Sequence, residues 1–397
     1  MNEVVIVEAC RTAVGTIGGT LKDVAPEELA RTVVQGVLDR SKIDPKEINE
    51  VVLGHCRQSS DNPNIARIAA LRCGIPEETP AFTVMRQCAS AMTAVSQGVN
   101  SIKVGENDVV IAGGTESMST ATFYIRGARF GLGTGNTTLV DSLTEGQFQS
   151  QPQEIYGTFN MGMAGGEYIV DRFGITREEM DKFSFQSQQR AAAAIKAGRF
   201  KDEIVPVIIP QRKGDPIVFD TDEFPRETSL EKLGKLNAAF KKDGTVTAGS
   251  SSGRNDGASA MLIMSADKAK ELGFKPLARF VSHAVCGVDP KIMGIGPVPA
   301  TRKALERAGL TLDQIELIEV NEAFAAQSVA VVKELGINEE ICNVNGGAIA
   351  LGHPVGSSGC RIMVTLLHEM IRRGNRYGLA TLCIAGGMGE ATIIEVV

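Results

Sequence analysis

The chain has 397 residues, which is too many for one hydrophobic core and predicts two or three domains or lobes. Its net charge of −6 argues against a nucleic-acid-binding protein with a broad basic surface, and its 43% hydrophobic residues are ordinary for a globular protein. No cationic segment precedes an apolar one, and no apolar run reaches the ~18 residues that a membrane span needs, so neither a signal peptide nor a membrane protein is predicted.

Eight cysteines are scattered along the chain without a C-x-x-C pair. This pattern indicates neither a disulfide framework nor a zinc site, and no metal is predicted. Free thiols in a reducing cytoplasm are the simplest interpretation. With only four histidines in the sequence, any mechanism that uses an imidazole has few candidates.

The first 120 residues alternate short apolar strands with amphipathic helices. "PEELARTVVQGVLDRS" has a proline suited to a first helical turn and apolar residues at helical spacing. Strands are predicted over 3–9, 48–56, 81–85 and 108–114, and helices over 26–41, within 62–75 and up to about 104. This alternation predicts an α/β fold with a mostly parallel sheet.

The regularity fails from about 120 to 265, where the chain is rich in Gly, Ser, Thr and Gln apart from one helix predicted over 176–198. We interpret this segment as a packed loop lobe. After about 270 the alternation returns with echoes of the first part, such as I-A-G-G in both "DVVIAGGTESMS" and "LATLCIAGGMGEAT". The echoes indicate two copies of one large unit, which usually pack about a pseudo-dyad.

Cys88 lies between a predicted strand and a predicted helix in "TVMRQCASAM". A strand–turn–helix passage places such a residue at a helix N-terminus, where the helix dipole favours the thiolate. Cys88 is therefore a candidate nucleophile, although a small buried packing residue would fit the local sequence as well.

His353 stands in the glycine-rich stretch "NVNGGAIALGHPVGSSG", directly before a proline that fixes the chain. An imidazole in this rigid turn could be oriented against a thiol, and the alternative is a turn histidine that faces water.

Cys383 and Asn321 each follow a predicted buried strand, and such strand ends face ligand crevices in α/β folds. A buried strand cysteine and an N-cap asparagine, before a helix predicted over 322–335, are the alternatives.

Together these stretches resemble the thiolase family over essentially the whole chain. The shared motifs are "VEACRTAVG", "QCASAM", "TAGSSSGRNDGA", "NEAFAAQ", "GGAIALGHPVGSSG" and "CIAGGMGEA", in the family's order. The resemblance implies an α/β thiolase-like fold: two duplicated halves that form a five-layer αβαβα arrangement with an inserted loop lobe. The expected division is an N-terminal half over 1–120, completed by about 245–268, a loop lobe that binds coenzyme A over 121–245, and a C-terminal half over 269–397.

The resemblance also implies the activity, which is reversible cleavage or Claisen condensation of 3-ketoacyl-CoA with ping-pong kinetics. Cys88 would be the acylated nucleophile, His353 its base and Cys383 the general acid and base. One oxyanion hole would consist of His353 and a water held by Asn321, and the other of the backbone N–H groups of Cys88 and Ala385. Coenzyme A is a substrate or product here, and no permanently bound cofactor is expected.

Coenzyme A contacts carry over from the family to six further residues. They are Ser252 at the pantetheine arm, Arg226 near the adenine, Met161 beside the thioester, and Phe240, Met293 and Phe324 in the pocket wall.

The sequence departs from the usual family pattern near the acyl pocket. Met85 replaces asparagine, Ala91 and Ala385 replace glycines, and Asn160 replaces histidine, while the 141–157 stretch is longer than in short-chain biosynthetic members. A longer, branched or aromatic acyl group is therefore a second possibility.

A homodimer or homotetramer is expected from the resemblance, and so is a place in fatty-acid metabolism. A small partner subunit stays an open alternative. A ketoacyl synthase and a non-catalytic acyl-CoA-binding scaffold are competing interpretations, and the complete set of Cys88, His353, Cys383 and Asn321 argues against both.

Overall fold

The computed structural model describes residues 2–397, and most of this chain is regular structure. The strands in chain order are β1 (Val4–Arg11), β2 (Gly15–Thr16), β3 (Glu50–Gly54), β4 (Ala81–Val84), β5 (Val109–Ser117), β6 (Phe123–Tyr124), β7 (Val140–Asp141), β8 (Val207–Ile209), β9 (Ile217–Phe219), β10 (Asn255–Ser265), β11 (Ala278–Gly287), β12 (Leu317–Val320), β13 (Tyr377–Ile384) and β14 (Met388–Val396).

The helices alternate with these strands in both terminal parts of the chain. They are α1 (Pro26–Ser41), α2 (Ile65–Arg72), α3 (Ser90–Val104), α4 (Ser142–Phe148), α5 (Gln153–Tyr156), α6 (Tyr168–Phe173), α7 (Arg177–Lys196), α8 (Leu230–Gly234), α9 (Ala266–Glu271), α10 (Pro297–Ala308), α11 (Ala325–Leu335), α12 (Ala348–Leu351) and α13 (Val355–Arg373). No helix within residues 2–397 is long and apolar enough to cross a bilayer.

The main sheet runs in the order β12-β13-β14-β11-β1-β10-β5-β3-β4, with β2 beside β10. Only β3–β4, β3–β5 and β12–β13 pair in parallel, so the prediction of a mostly parallel sheet is wrong. The long strands β1, β10, β11 and β14 pair antiparallel with their neighbours, and β13 and β14 form a hairpin. Helical crossovers therefore produce parallel pairs at the two ends of the sheet only.

Three apolar clusters define five layers. One cluster packs α1 and α2 on the outer face of the sheet half that contains β3 and β5. A second contains α3 and α13, which lie between the two sheet halves, and a third packs α10 and α11 on the outer face of the other half. The result is the predicted αβαβα arrangement.

Corresponding strands occupy corresponding places in the two halves, but the I-A-G-G echo does not align with them. Residues 111–114 lie inside β5, whereas residues 384–387 end β13 and form the turn before β14. Where β4 lies beside β3 in one half, Cys342 forms a parallel bridge with Ile318 of β12 in the other. The halves meet where β1 pairs antiparallel with β11 at Val5–Arg279 and Ile6–Ala278.

A buried ion cluster attaches the segment between β5 and β10 to the first half. The guanidinium of Arg11, fully buried at the end of β1, donates to both carboxylate oxygens of Asp222, at 2.7 and 2.9 Å, and to Glu203 at 2.6 Å. Asp222 also accepts the backbone N–H of Val14, and Glu203 accepts the hydroxyl of Thr365. The cluster thus connects β1, the inserted segment and α13.

Replacing Arg11 should be strongly destabilising. In Arg11→Met two buried carboxylates lose their counter-charge, and removing one partner from a buried pair costs about 3–5 kcal/mol. Urea denaturation at one fixed protein concentration measures this loss. Arg129→Met, at an exposed position, is the matched control with an expected change below about 0.5 kcal/mol. Equal midpoints for the two variants would contradict the assignment.

Candidate active site

Cys88 lies in a tight turn between β4 and α3. Residue Gln87 has φ +47°, a left-handed conformation that a non-glycine residue adopts at a cost and that recurs at functional sites. The hydroxyl of Ser90 donates to the carbonyl of Gln87 at 2.7 Å and accepts the N–H of Arg86 at 2.9 Å. Because α3 begins at Ser90, Cys88 is one residue before the N-cap rather than in the first turn.

The backbone and hydroxyl groups around His353 fix its ring. The N–H of His353 donates to Asn255 at 3.0 Å, and its Nδ1 lies 2.6 Å from the hydroxyl of Ser358. That hydroxyl donates its proton to the carbonyl of Pro354 at 2.9 Å. Ser358 therefore accepts from Nδ1–H, which leaves Nε2 unprotonated. Nε2 is buried without a partner, so His353 does not face water.

Cys383 and Ala385 lie at the hairpin between β13 and β14. Gly386 and Gly387 turn this hairpin with φ of +89° and +86°, whereas Ala385 is outside the left-handed region. A methyl group at 385 therefore leaves the backbone conformation intact. The backbone of Ala385 acts on the Cys88 thiol and lowers its pKa, against the effect of burial.

One cavity of about 410 Å³ contains the three predicted reactive groups, Cys88, His353 and Cys383. All three are at least nine-tenths buried. The cavity wall has no Asp or Glu and consists of Arg57, Cys88, Met118, Leu143, Gln147, Asn160, Met161, Gly162, Ala239, Phe240, Ser252, Gly253, Arg254, Met293, Ala323, Phe324, His353, Val355 and Cys383.

Asn321 is fully buried and is not itself a wall residue of this cavity, although Ala323, two residues later, is one. Its N–H donates to the carbonyl of Thr381, but both polar atoms of its side-chain amide lack a partner within residues 2–397. It does not cap the next helix, since α11 begins at Ala325 and not at 322 as predicted. A buried amide with two open hydrogen-bonding positions fits a bound water or a substrate oxygen.

Five of the six residues predicted to contact coenzyme A line the same cavity: Met161, Phe240, Ser252, Met293 and Phe324. The rings of Phe240 and Phe324 pack edge to face with centroids 5.7 Å apart. A Cβ at Gly162 would overlap Phe240, and one at Gly165 would overlap Phe324, so both glycines are needed for the rings to approach.

The sixth predicted contact residue, Arg226, is exposed and lies elsewhere. It lines a separate cavity of about 160 Å³ together with Gln188, Lys232 and Leu236. Its guanidinium stacks on the ring of Phe224 at 5.1 Å.

Burial keeps Cys88, His353 and Cys383 neutral. It raises the pKa of the Cys88 thiol, a shift that the N–H of Ala385 and the charge of Arg57 oppose and that the charge of Glu116 increases. Burial, with the charge of Arg361, lowers the pKa of His353 to about 3. Burial and the neighbouring Cys88 raise the pKa of Cys383. At neutral pH, therefore, the site holds two thiols and a neutral imidazole.

Glu116, near the end of β5, connects the loops that carry these groups. Its carboxylate accepts the backbone N–H groups of Cys56 at 3.2 Å, Arg57 at 3.0 Å and Gly356 at 2.9 Å. The first two residues follow β3, and Gly356 is in the first turn of α13, three residues after His353. One carboxylate thus holds together the parts of the site that come from the two halves.

Sequence reasoning missed Arg57, Glu116 and Ser358. Arg57 and Glu116 do carry a signal that was available, since both stand at the carboxyl end of a predicted strand, as Cys383 does. No sequence signal separates Ser358 from Ser357, because only helix geometry determines which hydroxyl reaches the imidazole.

Comparisons with known proteins agree with this architecture. The family model described as "Thiolase, N-terminal domain" matches residues 4–267, and "Thiolase, C-terminal domain" matches residues 274–396. Together they cover nearly the whole chain. The chain belongs to the thiolase family.

Similar proteins carry related names. A protein of Chromobacterium violaceum named acetyl-CoA acetyltransferase is 52% identical over 394 residues, which is 99% of each chain. One from Staphylococcus epidermidis named probable acetyl-CoA acyltransferase is 48% identical and covers 100% of this chain and 99% of its own.

Among solved structures, the Bacillus anthracis acetyl-CoA acetyltransferase has a TM-score of 0.96 at 45% identity and covers 100% of this chain and 99% of its own. Human mitochondrial 3-ketoacyl-CoA thiolase in complex with CoA has a TM-score of 0.94, also at 45% identity, and covers 100% and 98%.

The pH dependence of Cys88 alkylation tests the electrostatics of the site. Because burial and Glu116 raise the pKa of Cys88, the midpoint of its reaction with iodoacetamide should lie above the ~8.5 of a free thiol. Glu116→Gln removes a negative charge and should lower that midpoint. Mass spectrometry of the Cys88 peptide separates this thiol from the other seven cysteines.

Glu167→Gln is the matched control for this experiment. Glu167 is also buried and also accepts backbone N–H groups, those of Thr245 and Val246, both at 3.0 Å. It does not affect the pKa of Cys88. A midpoint that is the same in Glu116→Gln as in Glu167→Gln would refute the electrostatic role of Glu116.

Proposed function

We propose that the protein is a thiolase that cleaves 3-ketoacyl-CoA with coenzyme A, or forms it by Claisen condensation, through an acyl-enzyme on Cys88. The observation that carries the proposal is the convergence of Cys88, His353 and Cys383 on one cavity of about 410 Å³. Family membership and the names of the similar proteins support the same reaction.

The first step forms a carbon–sulfur bond. The thiol of Cys88 transfers its proton to Nε2 of His353, which has a free lone pair, as the sulfur attacks the C3 carbonyl of the substrate. The resulting oxyanion would be stabilised by the protonated His353 and by a water on the open amide of Asn321. The low basicity of the buried imidazole makes its protonated form a strong hydrogen-bond donor.

The second step breaks the C2–C3 bond. Its electron pair moves onto C2, which takes a proton from the thiol of Cys383, and acetyl-CoA leaves. The raised pKa of Cys383 keeps this thiol protonated at neutral pH, as a general acid requires. The acyl group remains on Cys88 as a thioester.

In the second half-reaction a new coenzyme A thiol gives its proton to the Cys383 thiolate and attacks the thioester. The backbone N–H groups of Ala385 and Cys88, both of which lower the pKa of the Cys88 thiol, are proposed to hold this second oxyanion. When the intermediate collapses, acyl-CoA leaves, and the Cys88 sulfur recovers its proton from His353. Both half-reactions share one intermediate, so the kinetics are ping-pong.

Coenzyme A is proposed to enter past Ser252, Phe240 and Phe324, with Met161 and Met293 near the thioester. The N–H of Ser252 donates to the carbonyl of Ala323 at 3.0 Å, which fixes this wall of the cavity. The cavity at Arg226 is proposed for the adenine end. Three of these six residues, Met161, Arg226 and Phe240, belong to the segment 121–245. We propose this segment as the coenzyme-A-binding lobe between halves formed by 1–120 with 245–268 and by 269–397.

Cys88→Ala should abolish thiolysis, because the proposed acyl-enzyme forms on that sulfur and Cys383 is assigned to proton transfer instead. The expected loss in kcat is at least ~10⁴-fold. Acetyl-CoA release from acetoacetyl-CoA measures the rate, and intact mass spectrometry of the wild type should reveal an acetyl group that maps to the Cys88 peptide.

Cys56→Ala is the control for that variant, since Cys56 is a nearby thiol whose sulfur donates to the carbonyl of Gln87 instead of facing the cavity. Acylation in Cys88→Ala, or full activity without Cys88, would disprove the acyl-enzyme. A wild type that binds acetoacetyl-CoA without turnover would point to the scaffold alternative.

We further propose a homodimer that pairs into a tetramer, located in the cytoplasm and acting in fatty-acid metabolism. Eight unpaired cysteines support the reducing location. Strand β4 is an edge of the main sheet, and Phe82 and Met85 are exposed there, as expected of a surface covered by a second copy. A second apolar surface protrudes around Phe130, which is 97% exposed, and includes Leu132 and Leu139.

Sedimentation equilibrium should give a tetramer for the wild type and a dimer for the double variant Phe130→Ser/Leu132→Ser. Removing apolar side chains from the protruding surface weakens the contact between dimers and leaves β4 unchanged. A monomeric wild type would refute the assembly, and a tetrameric double variant would refute the role of this surface.

A further inference from the structure

Arg57 is an unpaired cation in the wall of the reaction cavity. It follows β3 by three residues and lines the cavity together with Cys88. Its guanidinium makes no ion pair or hydrogen bond within residues 2–397, and its Nε is buried without a partner. Only its backbone N–H is engaged, with Glu116. Arg57 is half-buried, so its guanidinium is partly withdrawn from water and is available to pair with an anionic ligand.

The guanidinium is held in place by α4. A Cβ at Gly146 would overlap Nη1 of Arg57, so the side chain packs directly on the backbone of this helix. Leu143 and Gln147, from the same helix, are cavity residues next to this contact. The arginine is therefore fixed between α4 and the cavity rather than extended into solvent.

The surroundings of Arg57 lack a compensating anion. The cavity wall contains no Asp or Glu, and both carboxylate oxygens of Glu116 already accept backbone N–H groups, those of Cys56, Arg57 and Gly356. Arg254 is the other arginine of the wall. Its positive charge helps to lower the pKa of the Asp141 carboxyl group. Arg57 has no such partner, although its charge also acts on the Cys88 sulfur.

We propose that Arg57 binds an anionic group at the far end of the acyl chain, so that the preferred substrates are 3-oxoacyl-CoA thioesters that end in a carboxylate. A guanidinium pairs with a carboxylate through two parallel hydrogen bonds, which adds specificity to attraction. A purely apolar or aromatic chain would leave the same cation desolvated and unpaired. This inference rests on the proposed thiolase reaction and names its substrate class.

A matched substrate pair tests the proposal with the full-length protein. 3-Oxoadipyl-CoA and 3-oxohexanoyl-CoA have the same number of acyl carbons and differ in whether the chain ends in a carboxylate or a methyl group. Thiolysis gives acetyl-CoA with succinyl-CoA from the first and with butanoyl-CoA from the second. The wild type should favour the first by at least ~10-fold in kcat/KM.

Two variants assign this preference to Arg57. Arg57→Met keeps the length of the side chain without its charge and should lower the ratio of the two kcat/KM values about 10- to 100-fold, as expected for loss of a charged hydrogen bond. Arg57→Lys keeps the charge and should retain an intermediate ratio. Arg129→Met, which removes an exposed positive charge outside the cavity, should keep the wild-type ratio.

The outcomes separate this inference from the reaction on which it rests. Thiolysis of acetoacetyl-CoA by the wild type reports the reaction alone, and its absence would refute the proposed function. Turnover with equal kcat/KM for the two six-carbon substrates, or a preference for the methyl-ended one, would overturn the role of Arg57 only. If Arg57→Met lowers kcat/KM equally for both substrates, the charge of Arg57 stabilises the Cys88 thiolate instead of binding the chain end. That result would also overturn the proposed substrate class. If Arg57→Met does not fold, the ratio of the two kcat/KM values in the wild type still tests the proposed substrate class.

Discussion

The packing of α3 against α13 in one layer between the two sheet halves determines where Cys88 and His353 lie. Gly359 of α13 approaches the backbone of Met92 in α3 so closely that a Cβ there would overlap it. Gly356 likewise faces the carbonyl of Thr115 at the end of β5. Since the two helices are in backbone contact near their first turns, Cys88 before one and His353 before the other face the same cavity.

Much of this arrangement could be predicted from the sequence because it is encoded in local patterns. The helix over 26–41 was predicted with the observed bounds, and strand–turn–helix passages identified Cys88 and His353. The strand directions could not be read in the same way. The apolar runs of β10 and β14 give periodicity but no direction, and the antiparallel pairings depend on contacts between distant segments.

The part of the site that sequence reasoning missed consists of groups that act through distant partners. The role of Glu116 depends on three N–H donors that lie together only because the two halves pack against each other. For Arg57, only the three-dimensional structure shows that its guanidinium has no counter-charge. The departures at Asn160 and in the 141–157 stretch pointed to the correct neighbourhood, since Asn160 and α4 both border the cavity.

The cavity combines a low-polarity environment with a small number of fixed donors. Neutral thiols and imidazole avoid the cost of burying charges. In the proposed reaction, N–H groups and the open amide of Asn321 would stabilise the oxyanion that forms later. Because charges interact more strongly in a medium of low polarity, the unpaired charge of Arg57 would attract an anion in the cavity more strongly than it would in water.

The two halves are copies of one unit, yet they supply different residues to the same cavity. A symmetric pair of identical units presents the same residue on both sides of its axis, so a thiol on one side would face a second thiol. A sulfur opposite an imidazole requires the two copies to differ, and copies encoded in one continuous chain can differ without losing their mutual fit. One continuous chain therefore allows a cysteine before α3 and a histidine before α13, although the two helices occupy corresponding places in the two halves.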